Sequence, residues 1–118
     1  MNIQEVKKEI HENAINKGFW NKEHNFCEDI MLIVTELSEC VEAHRTNDFA
    51  KIEEFENGTE DYKTEFEKNI KDTVEDELAD AFIRILDTAE GWGIDVLKHV
   101  ELKMQYNKKR EYLHGKKY

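Results

Sequence analysis

Residues 30–45 read IMLIVTELSECVEAHR, and their pattern is the strongest structural signal in this chain. The apolar residues among them recur three and four positions apart, the spacing that places side chains on one side of an α-helix. The stripe consists of Ile30, Ile33, Val34, Leu37, Cys40, Val41 and His44. We therefore predict a long helix over residues 24–46 with its apolar face turned toward a core.

The same periodicity recurs on both sides of this segment. It predicts a helix over residues 2–17 that ends at Gly18, and another over residues 71–90 that stops at Gly91-Trp92-Gly93. Asp95 is placed to cap a last helix, because its short side chain can accept a hydrogen bond from a free backbone N–H.

The region between the two strongest helices, residues 47–69, is polar and acidic and can support one or two short helices. No stretch alternates with the period of two that marks a β-strand. Residues 1–118 are thus predicted to form a single all-α domain, a four- to five-helix bundle. Long amphipathic helices in so short a chain often leave some apolar surface unburied, so we expect a homo-oligomer that shares a helical core.

The net charge of the chain limits the classes of partner that it can bind. Its 118 residues include 27 acidic and 17 basic ones, for a net charge of −10, so a nucleic-acid polymer would be repelled. No apolar run is long enough to cross a membrane. The N-terminus lacks the apolar core of a signal peptide, and two cysteines make no disulfide framework. We therefore expect a cytoplasmic protein.

Two of the predicted helices contain the same four-residue motif, an acid, a leucine, a small residue and a second acid. One reads Glu36-Leu37-Ser38-Glu39 and the other Glu77-Leu78-Ala79-Asp80. Residues three apart lie on nearly the same side of a helix, so each motif places two acids on one helix side. The leucine between them belongs to the apolar stripe, and we predict that it points into the core. Four carboxylates then meet if the two helices pack together.

Four like charges at close quarters destabilise one another unless some are protonated or a divalent cation binds. Hard carboxylate oxygens in this number suit Mg²⁺ or Mn²⁺. Either acid pair alone can be a solvated acidic face, because acids are frequent in this chain. The duplication on the two strongest helices is what favours a metal site formed by Glu36, Glu39, Glu77 and Asp80.

At these residues the chain resembles the MazG-like family of all-α nucleoside triphosphate pyrophosphohydrolases. The family pattern, E-x-x-E on one helix and E-x-x-D on a later one, matches Glu36 with Glu39 and Glu77 with Asp80. The surrounding residues 35–43 and 76–84, and the basic ending 103–117, are also similar. Thr35 stands where the family commonly has another acid, and the segment between the two motifs is longer than in compact members.

The resemblance implies Mg²⁺-dependent hydrolysis of a (deoxy)nucleoside triphosphate to monophosphate and pyrophosphate, as in the removal of non-canonical nucleotides. It also implies dimers or tetramers that share helices between subunits. The bound ion would neutralise phosphate charge and acidify a water. Glu39 is our candidate for the carboxylate that orients or deprotonates that water.

Residues outside the acid pairs are candidates for binding the substrate. Lys103, Asn107 and Arg110 share one helical face and can bind phosphate, or they can simply complement the dipole at a helix C-terminus. Trp20 can stack on a base, or it can be a core residue. Arg84 lies one turn after Asp80 and can form a salt bridge with the acids.

Two other functions compete with hydrolysis. The first is a non-enzymatic helical module that dimerises or regulates a partner, which would need neither a metal nor the acids. The second is a di-iron carboxylate bundle, which requires Glu-x-x-His on two helices. Only Glu111 and His114 have that spacing here.

Overall fold

The computed structural model describes residues 2–117, and within them it contains six α-helices and no strand. A 3₁₀ turn, Tyr112–Gly115, follows the last helix. No helix of this range combines the length and hydropathy that crossing a bilayer requires. The helices are α1 (Ile3–Asn16), α2 (Phe26–Arg45), α3 (Ile52–Glu56), α4 (Tyr62–Asn69), α5 (Val74–Gly91) and α6 (Val96–Lys108).

The predicted all-α class is confirmed, and the three predicted long helices match α1, α2 and α5 within three residues at each end. There are six helices in the described part because the polar region between α2 and α5 forms both short helices that it could support. Side-chain caps fix the helix starts. Asn25 accepts from the backbone N–H of Glu28, and Asp95 accepts from that of Lys98.

The centre of the fold is the antiparallel pair α2 and α5, and α1 also packs on α5. The start of α2 meets the end of α5, since the Trp92 Nε1–H donates to Asp29 at 2.9 Å. The end of α2 meets the start of α5, where the Cys40 Sγ lies 3.5 Å from the Val74 carbonyl oxygen. This pairing brings the two acidic motifs into the contact between α2 and α5, which we call the α2–α5 seam.

The short helices α3 and α4 form a hairpin that packs mainly on itself. Phe55 of α3 contacts the rings of Tyr62 and Phe66 of α4 edge-on, at centroid distances of 5.3 and 6.5 Å. Backbone hydrogen bonds close the base of the hairpin, including one from Lys51 N to Asn69 O at 2.9 Å. The hairpin therefore projects from the α2–α5 pair beside the start of α5.

Little apolar surface is buried within one chain. The buried apolar residues of the described range are Ile33, Ala43, Ala81, Leu86 and Ala89. The radius of gyration is 17.4 Å, against about 13.5 Å for a compact domain of this length. Helix α6 contributes to this extended shape, because it packs extensively on no other helix of the described chain.

The prediction that Leu37 and Leu78 point into the core is wrong for a single chain, where 43% and 55% of their surfaces are exposed. Both belong to apolar stripes on the same side of the antiparallel pair. The stripes lie roughly a quarter turn around each helix from the α2–α5 seam. An apolar face this wide needs two packing surfaces to be buried completely. Helix α5 covers only one part of the α2 face. The exposed stripes are formed by Ile30, Val34, Leu37 and Val41 of α2 and by Leu78, Phe82 and Ile85 of α5.

Candidate metal and substrate site

The α2–α5 seam is lined by carboxylates where an ordinary helix pair would bury leucines. Glu36 of α2 is only 9% exposed and Glu77 of α5 only 5%, while Glu39 stands at the exposed rim. One oxygen from each of these three residues lies within 4.8 Å of the others. The structure therefore brings together three of the four predicted ligands.

The close packing of these acids changes their protonation. Burial, together with hydrogen bonds to and charges on Glu39 and Glu36, raises the pKa of Glu77 to about 8. Burial also disfavours the charged form of Glu36, but hydrogen bonds from Arg84 and Glu77 outweigh it and hold the Glu36 pKa below its usual range. Glu77 is thus protonated at neutral pH and shares its proton with its neighbours.

One buried oxygen of this cluster has no partner. Among the described residues, Glu77 Oε2 is enclosed by protein and makes no hydrogen bond. Leaving a buried polar atom unpaired costs about 1–3 kcal/mol. A cation among these oxygens would relieve that cost, which is why the site fits a hard divalent ion.

Asp80 and Arg84 border the cluster one and two turns further along α5. Burial, with the charges of Asp76 and Glu36, raises the pKa of Asp80 to about 6. The predicted salt bridge of Arg84 is confirmed, because its Nε donates to Glu36 Oε1 at 2.8 Å. Within residues 2–117 that is the only hydrogen bond of the guanidinium group, so its two terminal nitrogens remain available to an anion.

A second acidic group touches the same buried side chain. Oxygens of Asp72, Asp76 and Glu77 also lie within 4.8 Å of one another. Asp76 Oδ2 already accepts the backbone N–H of Asp72 at 2.9 Å. This group lies at the start of α5, where Thr73 is the N-cap, and it places Glu77 between two sets of carboxylates.

A groove of about 570 Å³ runs from the acids to the α1–α2 connection. We call it the Trp20 groove, because Trp20 and His24 form its far end and Glu36, Asp80 and Arg84 its near end. The predicted substrate residue Trp20 therefore lies in the same groove as the acids. Its volume is in the range of sites for small molecules.

Two histidine–carboxylate–tryptophan sets hold the far end of this groove. Asp87 accepts from the Trp20 Nε1–H at 3.0 Å and pairs with His11 Nδ1 at 2.7 Å. Asp29 does the same for Trp92 and for His24 Nδ1, the latter at 2.8 Å. Sequence spacing gives no sign of these sets, because three of the four contacts join residues that are 63, 67 and 76 positions apart.

His24 is held as a cation by its neighbours. Its Nδ1 faces the Asp29 carboxylate and its Nε2 lies 2.7 Å from the Phe19 carbonyl oxygen, so both nitrogens must donate. These two hydrogen bonds raise the pKa of His24, Asp29 having the larger effect, although burial and Lys22 oppose it. The ring also stacks on Trp20 at 3.8 Å, which favours a cation further.

Known proteins do not identify this chain. No protein-family model, curated protein or solved structure matches it. The resemblance to MazG-like pyrophosphohydrolases therefore remains a prediction from the motif residues.

The predicted phosphate-binding residues Lys103, Asn107 and Arg110 lie on α6 and in the turn after it, and none of them lines a groove that contains the acids. Lys103 Nζ and the Arg110 guanidinium instead lie 4.9 and 5.4 Å from the centroid of the Tyr106 ring. Within one chain, the predicted site is thus divided between the α2–α5 seam and α6.

Glu77→Gln is expected to raise stability while it removes a metal ligand. The amide can donate to Glu36 and Glu39 and needs no proton from solvent, whereas wild-type Glu77 loses stability as pH rises from 4.5, its ordinary pKa, through 8. The gain in Tm should therefore grow between pH 5 and pH 8, at roughly 4 °C per kcal/mol. Thermal unfolding followed by circular dichroism without divalent ions measures it, with the exposed Glu53→Gln as control. A lower Tm for Glu77→Gln than for wild type at pH 8 would contradict the buried proton.

His24 should titrate above its ordinary value of 6.5, because its raised pKa favours the cation. Its contribution to stability is fully present below pH 6.5 and is lost as pH rises through the folded pKa. His24→Gln should cost about 1–2 kcal/mol at pH 6 and progressively less at higher pH. Histidine NMR titration and urea unfolding at several pH values test this, with the exposed His99→Gln as control. A His24 midpoint below 6.5 would rule out the imidazolium.

Proposed function

We propose that this chain is a Mg²⁺-dependent nucleoside triphosphate pyrophosphohydrolase. The observation that carries the proposal is the buried carboxylate cluster, in which Glu36, Glu39 and Glu77 converge within 4.8 Å and Glu77 Oε2 lacks a partner. If the contact between α2 and α5 served only to stabilise the fold, we would expect apolar side chains in this seam. Acids at such positions typically serve a ligand, since they are costly to bury.

The donor set supports Mg²⁺ rather than a softer metal. All the converging atoms are carboxylate oxygens, and neither cysteine nor histidine is among them. Mg²⁺ is commonly held by a few carboxylates, with waters and substrate phosphates completing its shell. Glu36, Glu39 and Glu77 would hold the ion, and Asp80 at the edge of the groove completes the predicted ligand set.

When bound, the ion would supply charge neutralisation for the phosphates and an acidified water. The protein's own residues would do the rest. Glu39, at the exposed rim of the cluster, can orient and deprotonate the attacking water. Arg84 holds Glu36 through its Nε and can bind a phosphate oxygen with its terminal nitrogens, which stabilises charge on the transferring group.

The exposed apolar stripes on α2 and α5 support a homo-oligomer, either a dimer or a tetramer. Two copies that pair through these stripes would share a helical core and bury Leu37 and Leu78. An oligomer could also bring α6 of one copy to the acids of another. Lys103, Asn107 and Arg110 would then contribute the positive charge that the cluster lacks within one chain.

The same stripes are the observation that favours the alternative function, a non-enzymatic helical module for dimerisation or regulation. Such a module would need the apolar face and could lose the buried acids without loss of function. The buried, unpaired oxygen of Glu77 argues for the enzyme, because a module would gain stability from an uncharged seam.

Purified protein is expected to release pyrophosphate from at least one nucleoside triphosphate in Mg²⁺, and to lose this activity in EDTA. Glu36→Gln should lower kcat at least about 100-fold, because it removes a buried ligand, while Glu42→Gln on the exposed face of the same helix should not. A panel of canonical and modified triphosphates, assayed for pyrophosphate with circular dichroism as a folding control, measures this. Absence of release at stoichiometric protein would favour the module.

Phe82→Glu should dissociate the oligomer, because it places a charge in the centre of the apolar face. Light scattering after size-exclusion chromatography should give at least twice the 14.1 kDa chain mass for wild type and a lower mass for the variant. Tyr112→Glu, at a 90% exposed position in the 3₁₀ turn, is the matched control. A monomeric wild type at 100 μM would refute the shared core.

A further inference from the structure

Tyr62 is an aromatic residue that the fold leaves uncovered. It begins α4 and is 74% exposed, although its aromatic neighbours Phe55 and Phe66 are half-buried. Its ring is stacked parallel to that of Phe66, with an interplanar angle of 13° and a centroid distance of 6.2 Å. Phe66 and Phe55 thus flank the Tyr62 ring, and most of the tyrosine surface stays open to solvent.

Tyr62 lies in a second groove that also reaches the acids. This Tyr62 groove, of about 470 Å³, runs between α4 and the start of α5 and includes Phe66, Lys71, Asp76 and Asp80. Asp80 also lines the Trp20 groove. The acid cluster thus stands between two grooves, and a molecule bound at the cluster can extend into either one.

In the Trp20 groove, the tryptophan itself offers little ring surface to a ligand, and the exposed ring there is that of Phe19, which is 64% exposed. The Trp20 indole N–H is bonded to Asp87, and one ring face is covered by His24 at 3.8 Å. The far edge of the indole fills the space beside Gly91, where even a Cβ would not fit. Close to the acids, this groove contains the end of the Arg84 guanidinium that makes no hydrogen bond within residues 2–117.

We propose that the nucleobase of the substrate stacks on Tyr62 and that the terminal phosphates extend toward Arg84. This assignment rests on the proposed function, which it deepens by giving the substrate a direction across the acids. The exposed ring of Tyr62 suits any flat heterocycle, since stacking on an aromatic ring tolerates different bases. The guanidinium suits phosphate oxygens, to which it can donate two hydrogen bonds.

Isothermal titration calorimetry in Mg²⁺ tests the assignment without turnover. The probes are the four α,β-imido-2′-deoxynucleoside triphosphates and inorganic tripolyphosphate, which has the same phosphates but no base. Tyr62→Ala should weaken nucleotide binding roughly 5- to 100-fold and leave tripolyphosphate binding unchanged. Tyr62→Phe, which keeps the ring, should restore nucleotide binding. Tyr112→Ala, which removes another exposed tyrosine, is the matched control.

The alternative outcomes are distinct. Unchanged nucleotide binding by Tyr62→Ala would overturn the assignment and leave the proposed function intact, as would an equal loss for nucleotides and tripolyphosphate. A base-dependent loss in Phe19→Ala and not in Tyr62→Ala would place the base in the other groove and overturn the assignment as well. If wild type binds none of the probes in Mg²⁺, the proposed function fails and the assignment fails with it.

Discussion

The candidate site of this protein depends on the burial of carboxylates between α2 and α5. Glu36 and Glu77 occupy positions that would hold apolar side chains in a helix pair built only for stability. Their mutual repulsion is relieved by a proton on Glu77 and by the guanidinium of Arg84. A seam of carboxylates makes the fold less stable than a seam of apolar side chains would. Such a loss of stability is common where a site must bind a charged ligand.

The rest of the chain is arranged around that seam. Helix α1 and the connection after it enclose one side, where Asp87 and Asp29 each join a histidine to a tryptophan. The α3–α4 hairpin flanks the other side. Both regions form grooves that meet at Asp80, so a ligand at the acids would be flanked by side chains of α1, α2, α4 and α5.

The candidate site could be predicted only in part. Duplicated acid pairs at helical spacing identified Glu36, Glu39, Glu77 and Asp80, and the structure gathers the first three within 4.8 Å. The prediction that the intervening leucines are core residues was wrong for a single chain. Spacing shows which residues share a helix side, but two adjacent stripes can both be amphipathic, and only packing decides which one is buried.

The sequence by itself determined the all-α class, the bounds of the long helices and the acidic character of the seam. These are local properties, set by 3.6-residue periodicity, by caps such as Asp95 and by the absence of proline. Tertiary structure alone decided which acid holds the proton, that His24 is a cation and that Tyr62 stays open while Trp20 is enclosed. Those properties arise from contacts between residues on different elements, whose distances no spacing along the chain records.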